Sequence, residues 1–291
     1  MNHRPTVVLG MHRSGTSLLA HMISAAGIYA GPDQLLIPAT PANQDGFWEH
    51  APLVRFNDFL LSQMNASWML PPISTDYVRT KAKDRALFSH ANSLINNMDS
   101  HKLPWFWKDP RLCILLPFWK SLLISPVYVV IVRHPMSIAA SLRQRNYFPI
   151  TASLLLWQVY LCSILKELVA EADTLLIEYD QLIEAPEIVC PILEEFLTKF
   201  HKLASTKDVR LKRMVKCVRP ELCHRRDQSG SANNCIMDSA QVALYNELKS
   251  SVNKPVPLIS ERAQQLYPGW HDYLALWEGA ANLVKTLAQK L

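Results

Sequence analysis

The sequence predicts an α/β fold with a central parallel sheet flanked by helices. Two observations carry that expectation. Near the start, Thr6 to Leu9 is a short β-branched and apolar run, followed by a loop bracketed by Gly10 and Gly15 and an apolar-periodic segment from Thr16 to Gly27. That is the order strand, tight loop, helix. Further on, Val127 to Val132 is an uninterrupted apolar run, which suits a parallel strand covered on both faces. The chain has 291 residues, 49% of them hydrophobic. This is enough for a large core in one α/β domain, and the reading adopted is a single domain over 1–291. A formal net charge of +5 suits an anionic small ligand and gives no support to a nucleic-acid partner.

After the first helix, 30–48 is rich in Pro, Gly, Asn and Asp and reads as a loop over the sheet. Ala51 to Met64 carries Leu53, Phe56, Leu60 and Leu61 at helical spacing, and a more polar helix is expected from Val78 to Met98. Trp105 to Trp107 reads as a second strand, with Pro110 opening a helix. Val127 to Val132 is the third strand, and Met136 to Asn146 the helix after it. Ile150 to Ala172 is a long apolar helix, and Thr174 to Tyr179 the fourth strand. Asp180 is placed to cap a short turn over 181–184, and Pro186 opens a helix to Phe200. From 202 to 234 Lys and Arg dominate, as a solvated surface run or as a flap over an anionic ligand. Helical segments are expected over 238–252 and 260–290.

No apolar stretch precedes a cleavage site, and the apolar run from Leu112 to Val132 contains Lys120, Pro117 and Pro126. Neither a signal peptide nor a membrane span is therefore expected. The six cysteines form no C-x-x-C pair, and the expectation is free thiols in a cytoplasmic protein with no metal site.

The chemistry-bearing residues lie where this topology places a ligand. In the segment Gly10-Met11-His12-Arg13-Ser14-Gly15-Thr16-Ser17, backbone N–H groups and a helix N-terminus can cradle a phosphate. The spacing is close to that of the nucleotide-triphosphatase loop, but Thr16 stands where that loop has its Lys. The alternative is a plain strand–helix turn that uses glycine for geometry. Phe47-Trp48-Glu49-His50 reads either as a pocket wall carrying an acid or base, or as a turn and the start of a helix. Lys108, Asp109 and Arg111 follow the second strand, where α/β sheets bind ligands, or they pair with one another to order a loop. Arg133 follows the third strand, and Ser141 lies two turns into the next helix, so both can meet one anion; taken alone, the pair reads more readily as an Arg that caps a neighbouring carbonyl and a Ser that faces solvent.

Together these motifs resemble the sulfotransferases that use 3′-phosphoadenosine 5′-phosphosulfate (PAPS), and among them the bacterial and Golgi carbohydrate-type branch. Gly10 to Ser17 is similar to that family's 5′-phosphosulfate loop. Val132-Arg133-His134-Pro135 with Ser141 is similar to its 3′-phosphate motif. The resemblance spans 6–200. It implies a P-loop nucleotide-binding fold in which Arg13, Ser14, Gly15, Thr16 and Ser17 hold the 5′-phosphosulfate and Arg133 and Ser141 the 3′-phosphate. It also accounts for the missing loop Lys, since the donor has a single 5′-phosphate and needs no metal. The chain departs from many cytosolic members in carrying Arg13 where they have Lys, and in lacking their G-x-x-G-x-x-K segment.

What the resemblance implies is in-line transfer of a sulfonate to an acceptor hydroxyl, from a carbohydrate or another small molecule. Glu49 is the expected base, because members of the carbohydrate and tyrosine branches use a Glu after the first helix. His50, His12 and Asp109 are the other candidates, and Arg13 and Lys108 are the cations expected at the developing charge. Residues 30–105 are expected to build the acceptor pocket, with Phe47, Trp48, Trp68 and Trp105 as walls. Two other readings stay open, a P-loop small-molecule kinase and a nucleotide-binding module without chemistry.

Overall fold

Four parallel strands in the order β2-β1-β3-β4 form the sheet of the computed structural model, which describes residues 4–40, 43–72, 74–168, 173–219 and 237–252. They are β1 (Thr6–Leu9), β2 (Phe106–Lys108), β3 (Val127–Val132) and β4 (Thr174–Glu178). Thr6 lies beside Phe106 on one side and Val127 on the other, and Tyr128 lies beside Thr174. All four strands are buried along their length, which is why their sequences are continuously apolar rather than alternating.

The two-residue side-chain period of the strands divides the core into two layers. Val7, Leu9, Trp107, Tyr128, Val130 and Leu176 face one layer. It is covered by α2 (Ala51–Ser62), α4 (Arg85–Ser100), α5 (Leu112–Trp119) and α7 (Ile150–Leu168). Val8, Phe106, Val129, Ile131, Leu175 and Ile177 face the other. There α1 (Thr16–Ala25), α9 (Pro186–Phe200) and α10 (Lys207–Cys217) pack. Among the described residues no helix is long and apolar enough to cross a membrane.

Several expectations are corrected. The helix expected over 78–98 is two helices, α3 (Thr75–Thr80) and α4, joined by a 3₁₀ turn. Asp84 makes the break, because its carboxylate accepts from the N–H groups of Ala86 and Leu87 and so starts a new helix. Pro110 does not open a helix; α5 begins at Leu112. Asp180 is not a cap: it sits in the first turn of α8 (Tyr179–Glu184), with Glu178 at the N-cap. Trp105 is core rather than pocket wall, 1% exposed, with its indole N–H donated to Asp99.

The basic stretch from 202 contains α10, which packs on α1 with Met214 and Cys217 buried and Arg210 paired to Glu194 at 2.5 Å. Amphipathic spacing seats this part of the expected flap on the core; positions 220–234 and 260–290 lie outside the described residues. Among the described residues the remaining helices are α6 (Pro135–Asn146) and α11 (Ser239–Ser250).

Candidate functional site

Every strand delivers its carboxyl end to the same side of a parallel sheet. With the order β2-β1-β3-β4, the chain leaves β1 toward β2 and leaves β3 toward β4. The connections therefore part between β1 and β3, which opens a crevice at the strand ends. The glycine loop lies there. Ser14 donates its N–H and its hydroxyl to the Met11 carbonyl at 3.1 and 2.7 Å, so 11–14 is a tight turn with Arg13 left-handed at φ 71°. Gly15 follows at φ 98°, and a Cβ there would lie 2.2 Å from the Tyr179 ring. Only glycine permits both that backbone conformation and that closeness. Ser14 is 1% exposed and its donors are spent on the loop. In this structure Ser14 shapes the loop.

The loop separates two groups of charge. On one side Arg13 donates from Nε to the Ser141 hydroxyl at 2.8 Å, and Arg133 donates from Nη1 to the Arg13 carbonyl at 3.0 Å. Arg133 also lies 4.4 Å over the Tyr179 ring, and its Nε is buried with no partner. Burial, then Arg145 and Arg133, lower the pKa of Arg13. Among the described residues no carboxylate pairs with Arg13, Arg133 or Arg145. Guanidinium groups gathered without a counter-charge, with one buried donor unused, fit a multiply charged anion.

On the other side Lys108 and Glu49 form a buried ion pair at 2.5 Å. Lys108 also reaches Ser17 at 3.4 Å, and Asn43 donates to the same hydroxyl at 3.2 Å. Burial raises the pKa of Glu49, with the nearby Asp109 adding to the rise and Lys108 opposing it. Burial likewise lowers that of Lys108, against the pull of Glu49. Both partners are thus poised closer to exchanging a proton than they would be in water.

The three charged residues at the carboxyl end of β2 divide their work. Lys108 faces the crevice. Asp109, fully buried, accepts from Asn57 at 2.8 Å and from the backbone and guanidinium of Arg111 at 2.9 and 3.0 Å. Asn57 in turn accepts from Trp119 at 2.9 Å. Asp109 thus orders the loop after β2. His12 lies tilted at 46° against Trp68, with ring centroids 4.5 Å apart, and meets the edge of Tyr160 at 5.9 Å. Burial, then Arg111, Lys108, Arg145 and Arg13, hold it neutral well below the usual histidine value. His50 is the N-cap of α2, and burial lowers it too. His134 caps α6, its Nδ1 accepting from the Met136 N–H at 3.2 Å.

The expected residues thus fall into two sets, Arg13 with Arg133 and Ser141, and Ser17 with Lys108 and Glu49. Arg13, expected at the 5′-phosphosulfate and at the developing charge, has its polar contact with Ser141 and none with the Lys108–Glu49 pair. Tyr179 and Asn43 were missed by reading the sequence. Tyr179 directly follows β4, where the strand-end rule points; Asn43 shows no signal in its neighbours.

The sulfotransferase family model matches residues 5–198. No curated protein matches the chain. Among solved structures, a sulfotransferase domain from the curacin biosynthetic pathway is 15% identical, with 97% of this chain and 98% of that chain covered and a TM-score of 0.45.

Proposed function

The chain belongs to the sulfotransferase family, and on that premise we propose that it moves a sulfonate from PAPS to the hydroxyl of a carbohydrate or other small-molecule acceptor. The observation that supports this donor best is the division of the site. PAPS is anionic at two ends, and the glycine loop holds one cationic group on each side, Arg13 with Arg133 and Lys108 with Ser17. In this reading residues 1–291 form one domain of a cytoplasmic enzyme, and 30–105 shape the acceptor pocket.

The loop N–H groups, Gly15, Thr16, Ser17 and the N-terminus of α1 hold the 5′-phosphosulfate. Arg133, Ser141 and Arg13 hold the 3′-phosphate as charge-assisted donors. Glu49 takes the proton of the acceptor hydroxyl, and its raised pKa brings it nearer the working range of a base. As the acceptor oxygen bonds to sulfur, the bond from sulfur to the 5′-phosphate oxygen breaks. Lys108, released from Glu49 as that carboxylate is protonated, neutralises the charge developing on the leaving oxygen. No residue here is asked to bridge phosphates through a metal.

Calorimetric titration with 3′-phosphoadenosine 5′-phosphate in EDTA tests the donor. Micromolar binding to the wild type, lost in Arg133→Ala, is expected. Absence of that binding, with binding of ATP–Mg²⁺ instead, overturns the donor assignment in favour of a kinase. Glu49→Gln should bind the nucleotide as the wild type does while turnover falls by about 100- to 10,000-fold.

A further inference from the structure

The family match ends at residue 198, yet a helix beyond it reaches the crevice. α11 is started by a capping box in which Asp238 and Gln241 exchange side-chain and backbone hydrogen bonds. It buries Leu244, Tyr245 and Leu248. Tyr245 touches the carboxyl ends of two strands at once. Its hydroxyl donates to Glu178 Oε1, the last residue of β4, at 3.1 Å. Its ring meets the edge of His134, which directly follows Arg133 at the end of β3, at 4.8 Å. Lys249, one turn further along α11, pairs with the same Glu178 oxygen at 3.2 Å.

The residues next to these contacts are the ones that shape the Arg133 side of the cradle. Tyr179 follows Glu178, lies under the Arg133 guanidinium and fills the space that a side chain on Gly15 would need. His134 follows Arg133 and caps α6, the helix that carries Ser141. One tyrosine therefore grips both strand ends that aim Arg133, Tyr179 and Ser141.

We propose that Tyr245 is a positioning residue for the 3′-phosphate end of the donor site, holding Glu178 and His134 so that Arg133 and Ser141 converge on one anion. This rests on the donor reading above. In this role α11 supplies from beyond the family-matched region the outer support of the nucleotide site. The support is indirect: Tyr245 touches the residues beside the phosphate ligands. It should therefore act on recognition of the 3′-phosphate and leave the rest of the nucleotide alone.

The test compares binding of 3′-phosphoadenosine 5′-phosphate and adenosine 5′-phosphate to the full chain by calorimetry, in wild type, Tyr245→Phe and Tyr245→Ala. Tyr245→Phe keeps the ring on His134 and loses only the hydroxyl. It should weaken the 3′-phosphorylated nucleotide by about tenfold, the scale of one hydrogen bond to a charged group, and leave the other unchanged. Tyr245→Ala should narrow the preference further. Equal weakening of both nucleotides in Tyr245→Phe, or unchanged preference in a folded Tyr245→Ala, overturns the positioning role. If the wild type itself shows no preference for the 3′-phosphorylated nucleotide, it is the donor reading that fails.

Discussion

Replacing Lys108 by methionine leaves Glu49 buried without its counter-ion. In the native protein the ammonium lies 2.5 Å from the carboxylate, with the two side chains 1% and 10% exposed. A buried pair of this kind contributes little net stability, because desolvation offsets attraction. Losing one member is different, since the stranded carboxylate must stay charged in a dry site or take up a proton. Protonation bounds the cost. From the reference value of 4.5 for Glu49, neutralising the group at pH 7 costs about 3.4 kcal/mol, and the cost shrinks by about 1.4 kcal/mol for each unit of lower pH. Lys108→Met should therefore lose about 3 kcal/mol at pH 7 and about 1.4 kcal/mol at pH 5.5, read as the shift in urea midpoint at constant slope. Lys108→Met combined with Glu49→Gln has no charge to strand and should recover most of the loss at pH 7, while turnover stays abolished. A loss that does not change between the two pH values, or a double variant no better than the single one, would refute the closed ion pair.

Gly15→Ala meets both the positive φ and the Tyr179 ring at 2.2 Å, and should cost about 2–5 kcal/mol from backbone strain and overpacking together. Gly27→Ala shares a positive φ of 104° but has nothing within 4 Å, so it should cost only about 1–2 kcal/mol; equal urea midpoints for the two would contradict the close packing of the loop. Burial lowers the pKa of His12, His21 and His50 alike from 6.5. The unfolded chain then binds more protons than the fold just below that value, so stability should fall as pH drops from 6.5. A flat profile of urea midpoint against pH over that range would count against their neutral burial. The acid limb of kcat/KM should lie above the ordinary value of 4.5 for Glu49, with activity lost as pH falls through it. A limb at or below 4.5, or one unchanged by Glu49→Gln, would assign the base elsewhere.

Much of the frame is written locally. The buried run from Val127 to Val132, the glycines at 10 and 15 and the apolar spacing of α2 and α7 depend on residues within a few positions of one another, and such patterns survive reading in one dimension. The same holds for the Arg133 and Ser141 spacing, which follows from the rise of one helix. The break at Asp84 was also local in kind, a capping residue six places inside a polar helix pattern, where periodicity hid it.

One dimension therefore carries the succession of strands and helices along the chain, the loop that joins the first of each, and the charged residues at the strand ends. Which of those residues meet was decided by tertiary structure. Lys108 and Asp109 are neighbours in the chain, yet one faces Glu49 and the crevice while the other is consumed by Asn57 and Arg111. Arg13 could serve either side of the loop until a left-handed turn sent it to Ser141, 128 positions away. The union of Tyr245 with Glu178 joins residues 67 positions apart across a stretch that carries no motif. Local pattern records how a segment buries its own apolar face. Contacts between segments depend on how the sheet order brings strand ends together, and that order is set by the packing of the whole core.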